Sequence, residues 1–321
     1  MDTGLIALDK LQNIVADVFG NDFIIDNTER LLGGAQKHVY KIHCSNDFVF
    51  VLYLWHESTT YFTDEDDAGF TSNSAALFEI NNTFMAENMI NTPKLYFMDR
   101  AKKEHDYEFA FVEYIDGHDL DYIIDKEPER IKPIFESLNE SIQRMGNIKR
   151  RQAGTVDNPL ENFSCKDYVF REIQEEINHL VQVYSPIKNI HEQVSSCLLS
   201  LYQQCDDISS CSFIHNELGP NHVMVDKNNI AYLIDIEGAK FFDIEHEHSF
   251  LKFRFGENYA YLATSNLSDY KMEFYSFCHF IGILSGAYEL STKDYYDMDT
   301  VNGIINFCFG QIKSYCCKYA V

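Results

Sequence analysis

Four polar residues between positions 215 and 235 have side chains that could act together in catalysis: His215, Glu217, His222 and Asp235. Short apolar segments typical of β-strands flank them, so Glu217, His222 and Asp235 can meet around one point. A carboxylate can orient an attacking hydroxyl and accept its proton, and oxygen or nitrogen ligands can hold a divalent ion against nucleotide phosphates. The segment therefore indicates phosphoryl-transfer chemistry.

The residues before this segment predict a mostly antiparallel sheet with one inserted helix. Apolar side chains recur at helical spacing, and β-branched and aromatic runs flank polar turns. These patterns predict helices over residues 5–19 and 75–88 and strands over 39–43, 48–55, 94–98 and 108–115. The polar stretch after the first helix leads to a glycine turn at Gly33 and Gly34.

The pattern changes after Gly117, where long amphipathic helices follow one another. They are expected near residues 131–145, 169–181, 194–201, 272–284 and 301–312, interrupted by a β-rich interval over 212–235. The fold class is α+β. We expect two lobes, with a nucleotide-binding lobe over residues 1–117 and a mainly helical catalytic and substrate-binding lobe over 118–321.

The segment from His215 onward resembles the catalytic loop of the aminoglycoside and macrolide phosphotransferase family, which is related to choline kinases and to protein kinases. Four positions agree with the family pattern, namely His215, Leu218, Pro220 and Asp235, and Asn216 agrees with the choline-kinase form. The resemblance implies a two-lobed protein-kinase-like fold, with a small antiparallel sheet and one helix in the first lobe.

Two positions of this segment carry variants of the family residues. Glu217 occupies the position of the catalytic base, and His222 occupies that of a metal-binding Asn. Asp243 and Glu247 fall where the family has a further pair of acidic residues, which we expect to cap and pin loops. By resemblance, Glu217 and His215 are the catalytic residues, with His215 bracing the loop, while His222 and Asp235 hold the metal.

The first lobe carries weaker parts of the same resemblance. Gly33 and Gly34 resemble the glycine-containing nucleotide loop, and Glu113 and Ile115 lie in a segment resembling the hinge that binds the nucleotide base. Glu79 falls where the helix of the first lobe carries a Glu in the family.

The lysine that contacts the nucleotide phosphates in the family is replaced here. The corresponding position holds Tyr53, which the resemblance places among the nucleotide-binding residues. Lys37 and Lys41 are the nearest basic residues in sequence. Either one of them reaches the phosphates, or metal and backbone hold the nucleotide.

The composition limits the partners of such an enzyme. The 321 residues include 50 Asp and Glu against 26 Lys and Arg, a formal charge of -24, which opposes binding to nucleic acid or anionic lipid and favours cationic acceptors. No apolar run approaches the roughly 20 residues that span a bilayer, and no signal peptide is evident. The nine cysteines lack metal-ligand spacing and indicate a reduced, cytoplasmic protein.

The resulting hypothesis is a nucleotide-dependent O-phosphotransferase that uses ATP or GTP with Mg²⁺ or Mn²⁺. Its acceptor would be an amino-containing antibiotic or metabolite, in resistance or self-protection. Two alternatives stay open: a kinase for choline-like or sugar metabolites, suggested by Asn216, and a pseudokinase that binds nucleotide without transfer, suggested by the departures at Tyr53, Glu217 and His222. The sequence leaves the oligomeric state and the choice between ATP and GTP open.

Overall fold

The computed structural model describes residues 6–31, 37–56, 74–103, 106–293 and 297–319. Gly33 and Gly34 lie outside these ranges. The chain divides into two compact units. The first comprises residues up to 145 together with 155–157 and 220–239, and the second comprises 146–154, 158–219 and 240 onward. The residues that carry the predicted chemistry are therefore distributed over both units.

The predicted helices after Gly117 are longer than the apolar periodicity alone indicates, whereas the two before it are slightly shorter. The helices of the described ranges are α1 Leu8–Phe19, α2 Ala75–Glu87, α3 Leu120–Lys126, α4 Ile131–Asn147, α5 Cys165–Val183, α6 Ser185–Lys188, α7 His191–Gln203, α8 Ile244–Phe255, α9 Asp269–Ser291 and α10 Met298–Tyr319. Each helix predicted from the sequence is present, while α3, α6 and α8 were not predicted.

Thirteen strands lie in the described ranges, several of them very short. They are β1 Ile25–Leu31, β2 His38–Cys44, β3 Val49–Trp55, β4 Leu95–Asp99, β5 Glu108–Glu113, β6 Gly117–Asp119, β7 Lys149–Arg150, β8 Ala153–Gly154, β9 Pro159–Leu160, β10 Cys211–Ile214, β11 Val223–Asp226, β12 Ala231–Leu233 and β13 Lys240–Phe242.

The first unit contains an antiparallel sheet with strand order β1-β2-β3-β5-β4. Strand β3 is apolar throughout because both of its faces are covered. On one face, Phe50 and Leu52 belong to the core that includes Leu11 and Val15 of α1. On the other face, the ring of Tyr53 lies 5.4 Å from that of Phe78 in α2.

Strand β1 is not predicted by the sequence and lies in the polar stretch that follows the first helix. It lies at the edge of the sheet and pairs only with β2 among the described strands. None of its residues is buried, so it carries no alternating apolar signal. A polar edge strand of this kind protects a sheet from pairing with other chains.

A three-stranded sheet in the same unit has the order β12-β11-β6. Gly117 begins β6 and pairs with Asp226 of β11. A Cβ atom at Gly117 would lie 1.8 Å from the carbonyl oxygen of Val225, so any side chain here would collide with backbone. This close approach explains a glycine at the position where the sequence pattern changes.

The second unit is mainly helical, with α5, α7, α8 and α10 packed around α9. It also contains a five-stranded sheet with the order β7-β10-β13-β8-β9. Within the described ranges, no helix has the length and apolarity needed to cross a membrane. The chain thus belongs to the α+β class, with an N-terminal antiparallel sheet, one inserted helix and a mostly helical C-terminal part, as the sequence predicts.

Candidate active site

Asp235 lies just beyond β12, in the first unit. Its backbone adopts the left-handed conformation, with φ 59° and ψ 48°, and a 3-10 turn over Ile236–Gly238 follows it. This conformation is uncommon for residues other than glycine, although Asp and Asn tolerate it better than most residues do. The carboxylate remains 41% exposed and can therefore meet a ligand.

Lys37 contacts this carboxylate from the residue before β2. Its Nζ lies 2.8 Å from Oδ1 of Asp235, donates to Oε1 of Glu237, and lies 5.1 Å from the centre of the Tyr53 ring. Burial alone would lower the pKa of Lys37, but Glu237 and Asp235 together raise it above its ordinary value. Lys37 is therefore a buried, charged ammonium between two carboxylates.

Glu237 is the second carboxylate of this group, and only 5% of it is exposed. Burial raises the pKa of Glu237, Lys37 opposes that shift, and the charge of Asp235 adds to it. Its Oε1 accepts from Lys37, whereas its buried Oε2 has no hydrogen-bond partner among the described residues. A buried oxygen without a partner is costly, and such atoms often mark a place where a ligand or ion belongs.

His222 approaches the other oxygen of Asp235, with 3.4 Å between its Nε2 and Oδ2. It ends a 3-10 turn over Pro220–His222, and its carbonyl accepts the amide of Ile234 at 3.0 Å. That hydrogen bond ties the turn to the segment that leads into Asp235. The two predicted metal residues are thus neighbours in the structure.

The fit of a divalent ion can be judged from these donors. No three side chains of His, Cys, Asp or Glu in the described ranges are grouped closely enough to bind a metal by themselves. Mg²⁺ commonly takes only one or two protein carboxylates and obtains its remaining ligands from phosphates and water. The exposed carboxylate of Asp235 and the unpartnered oxygen of Glu237 fit that mode of binding.

Asn81 of α2 holds the turn that follows Asp235. Its buried Nδ2 donates to the carbonyl oxygens of Ile236 at 2.8 Å, Glu237 at 3.2 Å and Ala239 at 3.0 Å. The two hydrogens of this side-chain amide are thus shared among three carbonyls of the turn. Nothing in the sequence marked this residue, because a single Asn in a helical pattern carries no signal of a distant partner.

We expect Asn81→Ala to lower the free energy of unfolding by about 2 to 4 kcal/mol, because the carbonyls of Glu237 and Ala239 would lose this donor and that of Ile236 would keep only the amide of Ala239. The adjacent Asn82 provides a matched control, since its Nδ2 donates to one carbonyl among the described residues, that of Pro93 at 2.8 Å. Asn82→Ala should cost about half as much. Urea denaturation of both variants measures the difference, and equal losses would contradict the role given to Asn81.

Glu79, in the same helix, points elsewhere. Its Oε2 lies 2.8 Å from Nη1 of Arg100, and both side chains are partly exposed. The residue that the resemblance places in the helix of the first lobe thus forms a surface ion pair with Arg100. Such an exposed pair contributes little to stability.

The predicted hinge lies where β5 ends. The amide of Glu113 donates to the carbonyl of Lys94 at 2.9 Å, and its Oε2 accepts the amide of Lys94 at 3.0 Å. Ile115 is buried two residues further on. Between them, the hydroxyl of Tyr114 accepts from Nζ of Lys41 at 2.8 Å. Of the two basic residues nearest to Tyr53 in sequence, Lys41 therefore lies at the predicted hinge and Lys37 beside Asp235.

The predicted catalytic loop lies in the second unit, after β10. His215 is fully buried, Asn216 adopts a positive φ of 77°, and Glu217 is exposed. Glu247 of α8 accepts the amides of His215 at 3.3 Å and Asn216 at 2.8 Å. Burial raises the pKa of Glu247 to about 7, although the two amides favour its charged form. Asp243 accepts the amide of Glu245 and caps α8.

These contacts confirm that Asp243 and Glu247 cap and pin backbone, as expected from the sequence. They also fix the loop that presents Glu217, which is the residue proposed as the base. In the first unit, the structure brings together Asp235, His222 and Tyr53, and it adds two residues to them, Lys37 and Glu237. The catalytic and binding roles of these residues remain predictions.

No family sequence profile matches the chain, and no curated protein is similar to it in sequence. Solved structures do match it over almost its whole length. A thermostable mutant of aminoglycoside phosphotransferase APH(4)-Ia, in its apo form, matches with a TM-score of 0.66 and 11% identity, over 96% of this chain and 98% of the other.

Two further solved structures match the chain over an equally large share of its length. Choline kinase LicA from Streptococcus pneumoniae has a TM-score of 0.62 and 13% identity, over 97% of this chain and 99% of its own. The GDP and kanamycin complex of APH(2″)-IIIa has a TM-score of 0.60 and 15% identity, over 96% and 99%. The chain therefore has the protein-kinase-like fold of these small-molecule kinases, as the sequence predicts.

Proposed function

We propose that this protein is a nucleotide-dependent O-phosphotransferase that transfers the γ-phosphoryl group of ATP or GTP to a hydroxyl of a small molecule. The observation that carries the proposal is the carboxylate of Asp235, partly open to solvent and contacted by Lys37 and His222. A cation and metal-binding oxygens beside one another are what a nucleoside triphosphate requires. A protein with the same fold has been solved with ADP and hygromycin B, and another with GDP and kanamycin.

Glu217 is the proposed catalytic base. Its carboxylate orients the acceptor hydroxyl and takes its proton as the oxygen attacks the γ-phosphorus. The new O–P bond forms while the bond to the β-phosphate oxygen breaks, and the nucleoside diphosphate leaves. The backbone amides of His215 and Asn216 donate hydrogen bonds to the carboxylate of Glu247 and so hold the loop in place.

Asp235 and His222 are the proposed metal ligands, with the unpartnered oxygen of Glu237 available nearby. When bound, Mg²⁺ or Mn²⁺ would neutralise the charge of the phosphates during transfer. Oxygen donors suit Mg²⁺, whereas the imidazole of His222 is better suited to Mn²⁺. Glu113 and Ile115 lie at the end of β5, where the hinge backbone would hold the nucleotide base.

The proposed acceptor is a cationic, amino-containing molecule, because the chain carries a formal charge of -24. Strong negative charge attracts cations and raises their local concentration. Aminated antibiotics fit this description, and a role in resistance or self-protection follows from them. Choline-like acceptors are the second candidate, favoured by Asn216 and by the match to a choline kinase.

Product analysis tests the proposal. The purified protein is incubated with Mg²⁺, with ATP or GTP, and with a panel of aminoglycosides, macrolides, amino sugars and choline. We expect one acceptor class to gain a single phosphoryl group by mass, with equal release of nucleoside diphosphate. Nucleotide binding without any phosphorylated acceptor would contradict the proposal and favour a pseudokinase.

A further inference from the structure

The position where the family resemblance places a phosphate-binding lysine holds Tyr53, whose ring is buried against α2. Burial raises the pKa of Tyr53 to about 12, so its phenol stays neutral. A neutral ring cannot neutralise phosphate. A side-chain cation for the phosphates would therefore have to come from another strand or loop.

The register of β2 and β3 identifies that cation. Val39 of β2 pairs with Tyr53 of β3, so their side chains share one face of the sheet. Side chains alternate along a strand, and Lys37, two residues before Val39, therefore emerges on the same face. Its ammonium lies 5.1 Å from the centre of the Tyr53 ring.

The contacts of Lys37 and the exposure of its neighbour Asp235 suit a residue that binds a ligand. Asp235 and Glu237 engage two of the three hydrogens of its ammonium, and the third can donate to a phosphate oxygen. Lys37 is 8% exposed, whereas Asp235 is 41% exposed. The cation is thus fixed in position at the side of a carboxylate that solvent reaches.

We propose that Lys37 is the phosphate-binding lysine of this protein, supplied by the residue before β2 in place of β3, and that Tyr53 fills the space that a lysine on β3 would use. This inference rests on the proposed nucleotide-dependent function. It assigns to Lys37 a contact with the triphosphate, and to Tyr53 the packing that holds the Lys37 ammonium in place.

Nucleotide binding tests the proposal without an acceptor. ATP, GTP, adenosine and guanosine are titrated into wild-type protein and into Lys37→Met by calorimetry, in the presence of Mg²⁺. We expect the variant to bind the preferred triphosphate about 10- to 100-fold more weakly, the usual effect of losing one charged hydrogen bond, with nucleoside affinity unchanged. Lys132→Met, an exposed lysine in α4, is the matched control and should bind as wild type does.

Two further variants separate phosphate binding from folding. Lys37→Met leaves Glu237 buried without its cation, so Lys37→Met/Glu237→Gln removes both charges and supplies a folded comparison if the single variant unfolds. Lys37→Met/Tyr53→Lys places the ammonium on β3 instead. We expect this relocation to restore at least about one third of the free energy of triphosphate binding that Lys37→Met loses.

Several results would overturn the assignment. One is a wild-type triphosphate affinity in a folded variant that lacks Lys37. Another is an equal loss of nucleoside and triphosphate affinity, which indicates a structural role for the lysine, and a third is failure of the Tyr53→Lys relocation to restore binding. The proposed function is decided separately, because triphosphate binding that depends on Lys37, without transfer to any acceptor, supports this inference and contradicts the phosphotransferase.

Discussion

Asp235→Asn is expected to reduce phosphoryl transfer about 10³-fold, because losing the proposed metal-binding carboxylate would remove several kcal/mol of charge stabilisation in the transition state. Asn tolerates the left-handed backbone of this position, so the change isolates the charge from backbone strain. Nucleoside diphosphate release in a coupled assay measures kcat, and the melting temperature reports on folding.

Asp226→Asn is the matched control for this variant. Asp226 ends β11 in the same unit, and its Oδ1 accepts the amides of Asn228 at 2.9 Å and Ile230 at 2.8 Å. An Asn keeps that oxygen, so the turn is retained and transfer should stay near the wild-type rate. Transfer by Asp235→Asn within threefold of wild type would remove Asp235 from the proposed mechanism.

Glu217→Gln is expected to lower kcat by about 10²- to 10⁴-fold, the usual contribution of a positioned general base. Glu217 is exposed at the end of a braced loop, so the loss of its charge should leave the melting temperature unchanged. The variant should also lose the acidic limb of the kcat against pH profile, since that limb reports protonation of the base.

The exposed Glu257 serves as the control for the same chemical change in the second unit. Glu257→Gln should transfer phosphate at the wild-type rate. A second comparison, Glu217→Asp, keeps a carboxylate at this position on a side chain one methylene shorter and should retain more activity than Glu217→Gln. An unaltered acidic limb in Glu217→Gln would show that another group accepts the proton.

Periodicity predicted most of the fold, because the buried faces of its helices and strands are continuous. The hairpin of β2 and β3 follows from two apolar runs around a polar turn, and α2 from apolar residues on one helical face. Strand β1 was not predicted because none of its residues is buried, and pairing at the edge of a sheet leaves no apolar pattern in the sequence. Helix α8 was not predicted because charged residues occupy its first turn, which Asp243 caps.

The candidate site was predicted only where a local motif marks it. Asp235 and His222 were paired from their positions along the chain, and the structure places their side chains 3.4 Å apart. The contact of Lys37 with Asp235 spans 198 residues, and no local pattern indicates it. The register of the predicted hairpin nevertheless carried a signal, since it places Lys37 on the same face as Tyr53.

The hydrogen bonds of Asn81 have a mechanical consequence. The carbonyls of Ile236, Glu237 and Ala239 all accept from one amide of α2. A rotation or shift of α2 must therefore either break three buried hydrogen bonds or displace the turn that carries Glu237 and follows Asp235. A ligand or a mutation that shifts α2 would thus move this turn and change the position of the Glu237 carboxylate.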